Sequence, residues 1–142
     1  MIALRLVLDT NVLVSAVLKQ EGLERAVLNL ALSRPARIYV SQKILEEYGD
    51  VLSRPELRIR KGLRRQFLAL IKHRSRLVKP RLKIEIGRDP DDAKFLECAD
   101  AARADYLVTG NLKHFPRYWK NTKIVKPREF IEMISPHLMS GI

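Results

Sequence analysis

LRLVLDTNVLVSA, residues 4–16, is the stretch whose reading decides the fold. Leu6, Val7 and Leu8 form a short apolar run of strand-forming residues, the pattern of a strand buried on both faces. The run ends on Asp9. Thr10 and Asn11 follow with turn and helix-cap chemistry, and residues 12–18 then continue as an apolar helical segment. A carboxylate at the point where a buried strand gives way to a helix stands at the carboxyl edge of a sheet, where open α/β folds bind their ligands. The competing reading is that Asp9 or Asn11 does no more than cap the helix.

Working outward, Gly22 breaks the first helix. Leu23, Ala26, Val27, Leu30 and Ala31 then recur at helical spacing and end before Pro35. Residues 37–40 (RIYV) read as a second strand. Ser41 is a good N-cap for a helix with Ile44, Leu45, Tyr48, Val51 and Leu52 facing inward, stopped by Pro55. Leu63, Phe67, Leu70 and Ile71 predict a further helix with basic residues on its outer face. Residues 77–78 and 84–86 are weaker strand candidates around Pro80. Asp89 is suited to cap the next helix, with Pro90 as its first residue and Phe95, Leu96, Ala99 and Ala102 as its apolar stripe. A buried strand at residues 106–109 runs into Gly110-Asn111. Residues 124–125 are a last short strand, and Pro127 begins a helix with Phe130, Ile131 and Ile134 facing in. Strands alternate with helices over short connections and nothing repeats, which predicts a three-layer α/β/α domain with a mainly parallel sheet.

The 142 residues fit one domain spanning 1–142. No window approaches the ~18 uninterrupted apolar residues of a membrane span. Arg5 interrupts the only apolar run near the N-terminus and no small-residue cleavage site follows, so a signal peptide is not expected. The single cysteine, Cys98, lies in a helical pattern and reads as core filler in a reducing cytoplasm. No Cys/His cluster has zinc spacing. The net charge of +11 is localised: residues 54–83 hold twelve Lys/Arg against one acid, Glu56, while the rest of the chain balances. Such a segment predicts polyanion binding by phosphate neutralisation and counterion release. A solvated helix face, or a surface for an acidic protein partner, are its other readings.

Four polar positions lie where connections can reach one sheet edge: Asp9, Glu47, Asp92 and Asn111. Carboxylates gathered in one cleft repel by roughly 4 kcal/mol per pair at ~4 Å and an effective dielectric near 20. No compensating side chain is evident in these stretches. A divalent cation removes that cost, and hard oxygen donors without clustered Cys or His select Mg²⁺ or Mn²⁺. Such ions activate water and stabilise a phosphoryl transition state. Singly, Asp92 also reads as an acid complementing a helix dipole, and Glu47 as a surface acid beside Glu46.

LDTNVLVSA (8–16), SQKILEEYGDVLSRP (41–55), DPDDAKFLECADAARADYLVTGNLKHFP (89–116) and IVKPREFIE (124–132), in that order and spacing, resemble the PIN-domain family. More narrowly they are similar to its bacterial and archaeal branch of VapC-like toxins of toxin–antitoxin systems. The resemblance covers nearly the whole chain, with residues 58–83 its least diagnostic part. It implies a metal-dependent endoribonuclease of the cytoplasm, with RNA and a cognate antitoxin protein as partners and a homodimeric state. The family's acids map onto Asp9, Glu47 and Asp92. Asp92 is preferred to Asp89 and Asp91 for its spacing to Phe95, Leu96 and Ala99, and Glu47 to Glu46 because it directly precedes the inward-facing Tyr48. Many PIN nucleases carry an acid where this chain has Asn111, whose neutral oxygen still serves a metal or positions water. Thr10, Asn11 and Thr109 are expected to orient the carboxylates, and Arg60, Lys61, Arg64 and Arg65 to contact RNA. His114 reads as part of a packed turn rather than as a base. Two rivals remain. An aspartyl phosphotransferase would need a second Asp where Asn11 stands. A catalytically degenerate PIN module that binds RNA or a protein partner is favoured by Asn111.

Overall fold

A computed structural model describes residues 3–85 and 90–140. The central strand is β1 (Arg5–Leu8), whose Leu6, Val7 and Leu8 are at most 1% exposed, as a two-sided apolar run requires. β2 (Arg37–Val40) lies on one side of it and β4 (Tyr106–Val108) on the other, both parallel. β3 (Arg76–Leu77), β5 (Tyr118–Trp119) and β6 (Thr122–Val125) complete a six-stranded sheet in the order β3-β2-β1-β4-β6-β5. Every pairing is parallel except the β5–β6 hairpin. Helices cover the sheet as α1 (Thr10–Leu18), α2 (Leu23–Ala31), α3 (Gln42–Leu52), α4 (Lys61–Arg74), α5 (Ala93–Ala102) and α6 (Pro127–Ser140). The architecture is the expected three-layer α/β/α.

The apolar stripes explain the packing. α5 sets Phe95, Leu96, Cys98 and Ala99 against β1, β2 and β4. α6 packs Phe130 edge-on to Tyr106 with ring centres 5.3 Å apart. Cys98 is buried, and burial pushes its thiol up to about 12, the behaviour of an inert core side chain. Among the described residues no helix is long and apolar enough to cross a membrane.

Several expectations need correction. α1 begins two residues early, at Thr10, because the chain turns helical immediately after Asp9. On α4 the packed residues are Leu63, Phe67, Leu68 and Ile71, whereas Leu70 is 38% exposed. Ile84 and Glu85 are not strand, though Ile84 is buried. The proposed cap Asp89 and the strand end Ile86 lie outside the described residues. The two-residue strand β5 escaped the sequence because it is too short to show any period.

Candidate functional site

Asp9 sits at the carboxyl end of the central strand, its N–H donating to the Val108 carbonyl at 2.9 Å. It occupies the N-cap position of α1 with extended backbone, yet its side chain makes no capping bond. Its carboxylate is turned instead toward the end of β4, where the Thr109 hydroxyl donates to Oδ2 at 2.7 Å and the Asn11 amide to the same oxygen at 3.3 Å. The geometry therefore does not support the helix-cap reading of this buried side chain, which is 6% exposed. Asn11 also accepts from the Gly110 backbone N–H at 3.1 Å, so it latches the turn after β1 to the turn after β4.

Glu47 is carried in by α3. Ser41 caps that helix, accepting from the Ile44 N–H, and the buried Tyr48 hydroxyl donates to the Leu8 carbonyl, pinning the helix to the end of β1. Glu47 then faces the site: one oxygen accepts from the Thr10 hydroxyl and the other meets the Lys94 ammonium at 2.5 Å. Glu46 points outward, accepting from the Gln42 amide at 3.3 Å. Asp92 stands at the N-cap position of α5, at the end of a short 3-10 turn (Pro90–Asp92), and its Oδ2 lies 3.0 Å from His114 Nδ1.

These groups share one electrostatic environment. The Asp9 carboxyl is held above the ordinary aspartate value, chiefly by burial and further by the negative charges of Asp92 and Glu47, against the Thr109 hydrogen bond that lowers it. The expected convergence of three carboxylates thus exists as a field, but not as a closed cage. Among the described residues no three His, Cys, Asp or Glu side chains come close enough to hold a metal ion as they stand. Lys94 pairs with Glu47 and supplies a compensating charge that the local sequence pattern does not reveal. The donor set still suits a hard divalent cation in chemistry and sign: carboxylate oxygens, hydroxyls and an amide, with burial opposing an uncompensated charge on Asp9.

Asn111 is exposed and opens a 3-10 turn (Leu112–His114) without a side-chain capping bond. Its backbone N–H donates to the Thr109 hydroxyl at 3.0 Å, which places it one hydrogen-bonded step from Asp9. His114 lies in the packed turn anticipated for it, but its ring reaches Asp92, a contact the sequence did not suggest. Lys94 also went unnoticed. One signal was available: an ammonium in the first turn of a helix opposes the helix dipole and calls for a nearby acid.

Beside the carboxylates an open groove of about 1270 Å³ runs between the starts of α3 and α5 and the segment 77–85. Lys43, Lys79, Arg81 and Lys83 line it, and Lys94 stands where it meets Glu47. The exposed Leu77 and Leu82 give it an apolar floor. Arg60, Lys61, Arg64 and Arg65 are not part of this lining; they occupy the N-cap and first two turns of α4, where Arg64 is half-buried and the other three are exposed.

A family model of the PIN domain matches residues 5–113. An uncharacterized protein of Methanocaldococcus jannaschii is 30% identical over 143 residues, covering 92% of each chain. In fold the chain is similar to a chain from the crystal structure of VapBC2 from Rickettsia felis bound to a DNA fragment from their promoter. That match has a TM-score of 0.58 and 23% identity, over 87% of this chain and 98% of that one.

Proposed function

The chain belongs to the PIN-domain family, and from that premise we propose that it is a divalent-metal-dependent endoribonuclease, acting as the toxin of a toxin–antitoxin pair. The observation that carries the reading is Asp9: a buried carboxylate at the sheet's carboxyl edge whose charge is opposed by burial and by Asp92 and Glu47. A buried carboxylate opposed by two neighbouring acids is suited to a cation. Asp9, Asp92 and Glu47 would hold Mg²⁺ or Mn²⁺, with Asn111 as a neutral oxygen donor at the rim. When bound, the ion supplies Lewis-acid stabilisation of a phosphodiester and lowers the pKa of a water molecule.

The chain's own groups do the rest. Thr109 and Asn11 hold Asp9 in one rotamer, and Thr10 fixes one oxygen of Glu47. His114 holds Asp92. The groove cations and the α4 residues Arg60, Lys61, Arg64 and Arg65 neutralise the phosphates of a single strand, whose bases lie on Leu77 and Leu82. The whole chain works as one nuclease domain in the cytoplasm. The likeness to VapBC2, a complex bound to its promoter DNA, supports an antitoxin partner, and we take the toxin to be a homodimer.

The deciding experiment is incubation of the purified protein with RNA in Mn²⁺ and in EDTA, with fragment ends mapped. Cleavage that requires Mn²⁺ and disappears in Asp9→Asn supports the reading; fragments that persist in EDTA reject it. The Glu47–Lys94 pair favours a second reading, a module that binds RNA without cutting it, because it engages one of the three acids. Calorimetric titration separates the two, since a binding-only module shows no Mn²⁺ site that depends on Asp9.

Two further outcomes are expected. Neutralising Lys79, Arg81 and Lys83 to Gln should weaken RNA binding and flatten its dependence on log salt by about 0.7 per lost phosphate contact. The same change at Arg60, Lys61, Arg64 and Arg65 measures the share of α4. A salt slope unchanged in both sets assigns the basic segment to a protein partner. If the side chain of Asn111 faces the site, Asn111→Asp adds a carboxylate to it, so its melting temperature should fall in EDTA and rise in Mn²⁺ relative to wild type. Equal shifts in the two buffers would remove position 111 from the site.

A further inference from the structure

The acids of the site are not treated alike. Asp9 is held by neutral donors, the Thr109 hydroxyl and the Asn11 amide, and its carboxyl is pushed upward. Glu47, one helix away, is met by a full positive charge, with Lys94 Nζ 2.5 Å from Oε1. Both partners are mostly withdrawn from water, at 15% and 25% side-chain exposure, so the pair is only partly screened. Lys94 is further steadied by the Phe95 ring, whose centre is 5.6 Å from the ammonium. The Thr10 hydroxyl occupies the other Glu47 oxygen as a neutral donor and fixes the carboxylate's orientation. An ammonium and a divalent cation at the same Glu47 oxygen repel each other, so each weakens the binding of the other.

We propose that Lys94 is a positioning residue that competes with the divalent cation for Glu47 and so sets the affinity of the carboxylate site for metal. The inference rests on the metal-site reading above. Lys94 holds Glu47 in the site against the charge of Asp9, and drawing Glu47 onto a metal weakens that pair. Because Lys94 also lines the open groove, its displaced ammonium can be solvated there beside the lining acids Glu85 and Glu97.

The competition has a sign that a purely structural role lacks. Removing a structural support weakens a site, whereas removing a competitor strengthens it. Mn²⁺ titration calorimetry on wild type, Lys94→Met, Lys94→Gln and Lys94→Arg, paired with thermal melts in EDTA, tests this. Lys94→Met should bind Mn²⁺ about three- to tenfold more tightly, the range of a partly buried ion pair. Lys94→Gln, which keeps a hydrogen-bond donor for Glu47, should do likewise and serves if the Met variant does not fold. Lys94→Arg should stay near wild type. In EDTA both neutral variants should melt lower, since Glu47 then faces Asp9 uncompensated. Folded neutral variants that bind Mn²⁺ as wild type does, or more weakly, overturn the inference while leaving the metal site standing. A wild type with no Mn²⁺ site removable by Asp9→Asn overturns the metal reading itself, and this inference with it.

Discussion

Asp9→Asn is expected to reduce RNA cleavage by at least ~10²-fold, the scale of losing a principal transition-state group. In EDTA at neutral pH it should nonetheless raise the melting temperature. The two effects share one cause. The asparagine oxygen still accepts from Thr109, so the local structure survives, but the charge that burial, Asp92 and Glu47 all oppose is gone. The pH dependence follows from the same shift. Asp9 holds its proton more tightly in the folded chain than in the unfolded one, so this group favours folding while protonated and the benefit is lost as pH rises through its folded pKa. The stability gap between variant and wild type should therefore be absent below the ordinary aspartate range and open above it. Melts from about pH 3 to pH 7 measure it. A variant that is less stable than wild type at neutral pH, or a gap that widens toward acid, contradicts the account.

Glu47→Gln should be equally damaging to cleavage, by about 10²-fold, yet opposite in its effect on stability. Here the lost charge is a paired one. Lys94, its side chain 15% exposed, is left without its carboxylate, beside an amide. Breaking a fully buried pair costs about 3–5 kcal/mol and an exposed one at most about 1, so a loss of about 1–3 kcal/mol is expected for this intermediate case. Denaturant melts in EDTA measure it directly. A Glu47→Gln protein as stable as wild type would mean that the ion pair contributes nothing. Two isosteric acid-to-amide changes in one cluster thus distinguish an opposed carboxylate from a satisfied one.

How much of this could be read from the sequence depended on range. β1, β2, β4 and the faces of α3 and α5 were legible because each is set by apolar residues within a few positions of one another. The grouping of Asp9, Glu47, Asp92 and Asn111 near one edge was an expectation from strand–helix alternation, sharpened by the family resemblance. Lys94 was not legible. Its partner is 47 residues away, and their meeting depends on how α3 packs against α5, which no local period encodes. Leu70 misled for the opposite reason: it has the right period for the stripe of α4, but that helix presents to the sheet a face centred on Phe67 and Ile71. β5 exists only because β6 offers an edge to pair with.

The central position of β1 bears on how the candidate site assembles. This strand is made first, but its neighbours β2 and β4 arrive about 30 and 100 residues later, and the Asp9 amide itself bonds to Val108. Closing so long a loop is entropically costly, and non-local parallel pairing folds slowly. A nascent chain that has emerged as far as Asp92 already contains all three acids, yet Thr109 is missing and Asp9 has no strand beside it to fix its direction. The arrangement of the acids at the sheet edge is therefore a late product of folding. The amides of β1 should exchange with solvent only through the most global openings, while those of the β5–β6 edge exchange first.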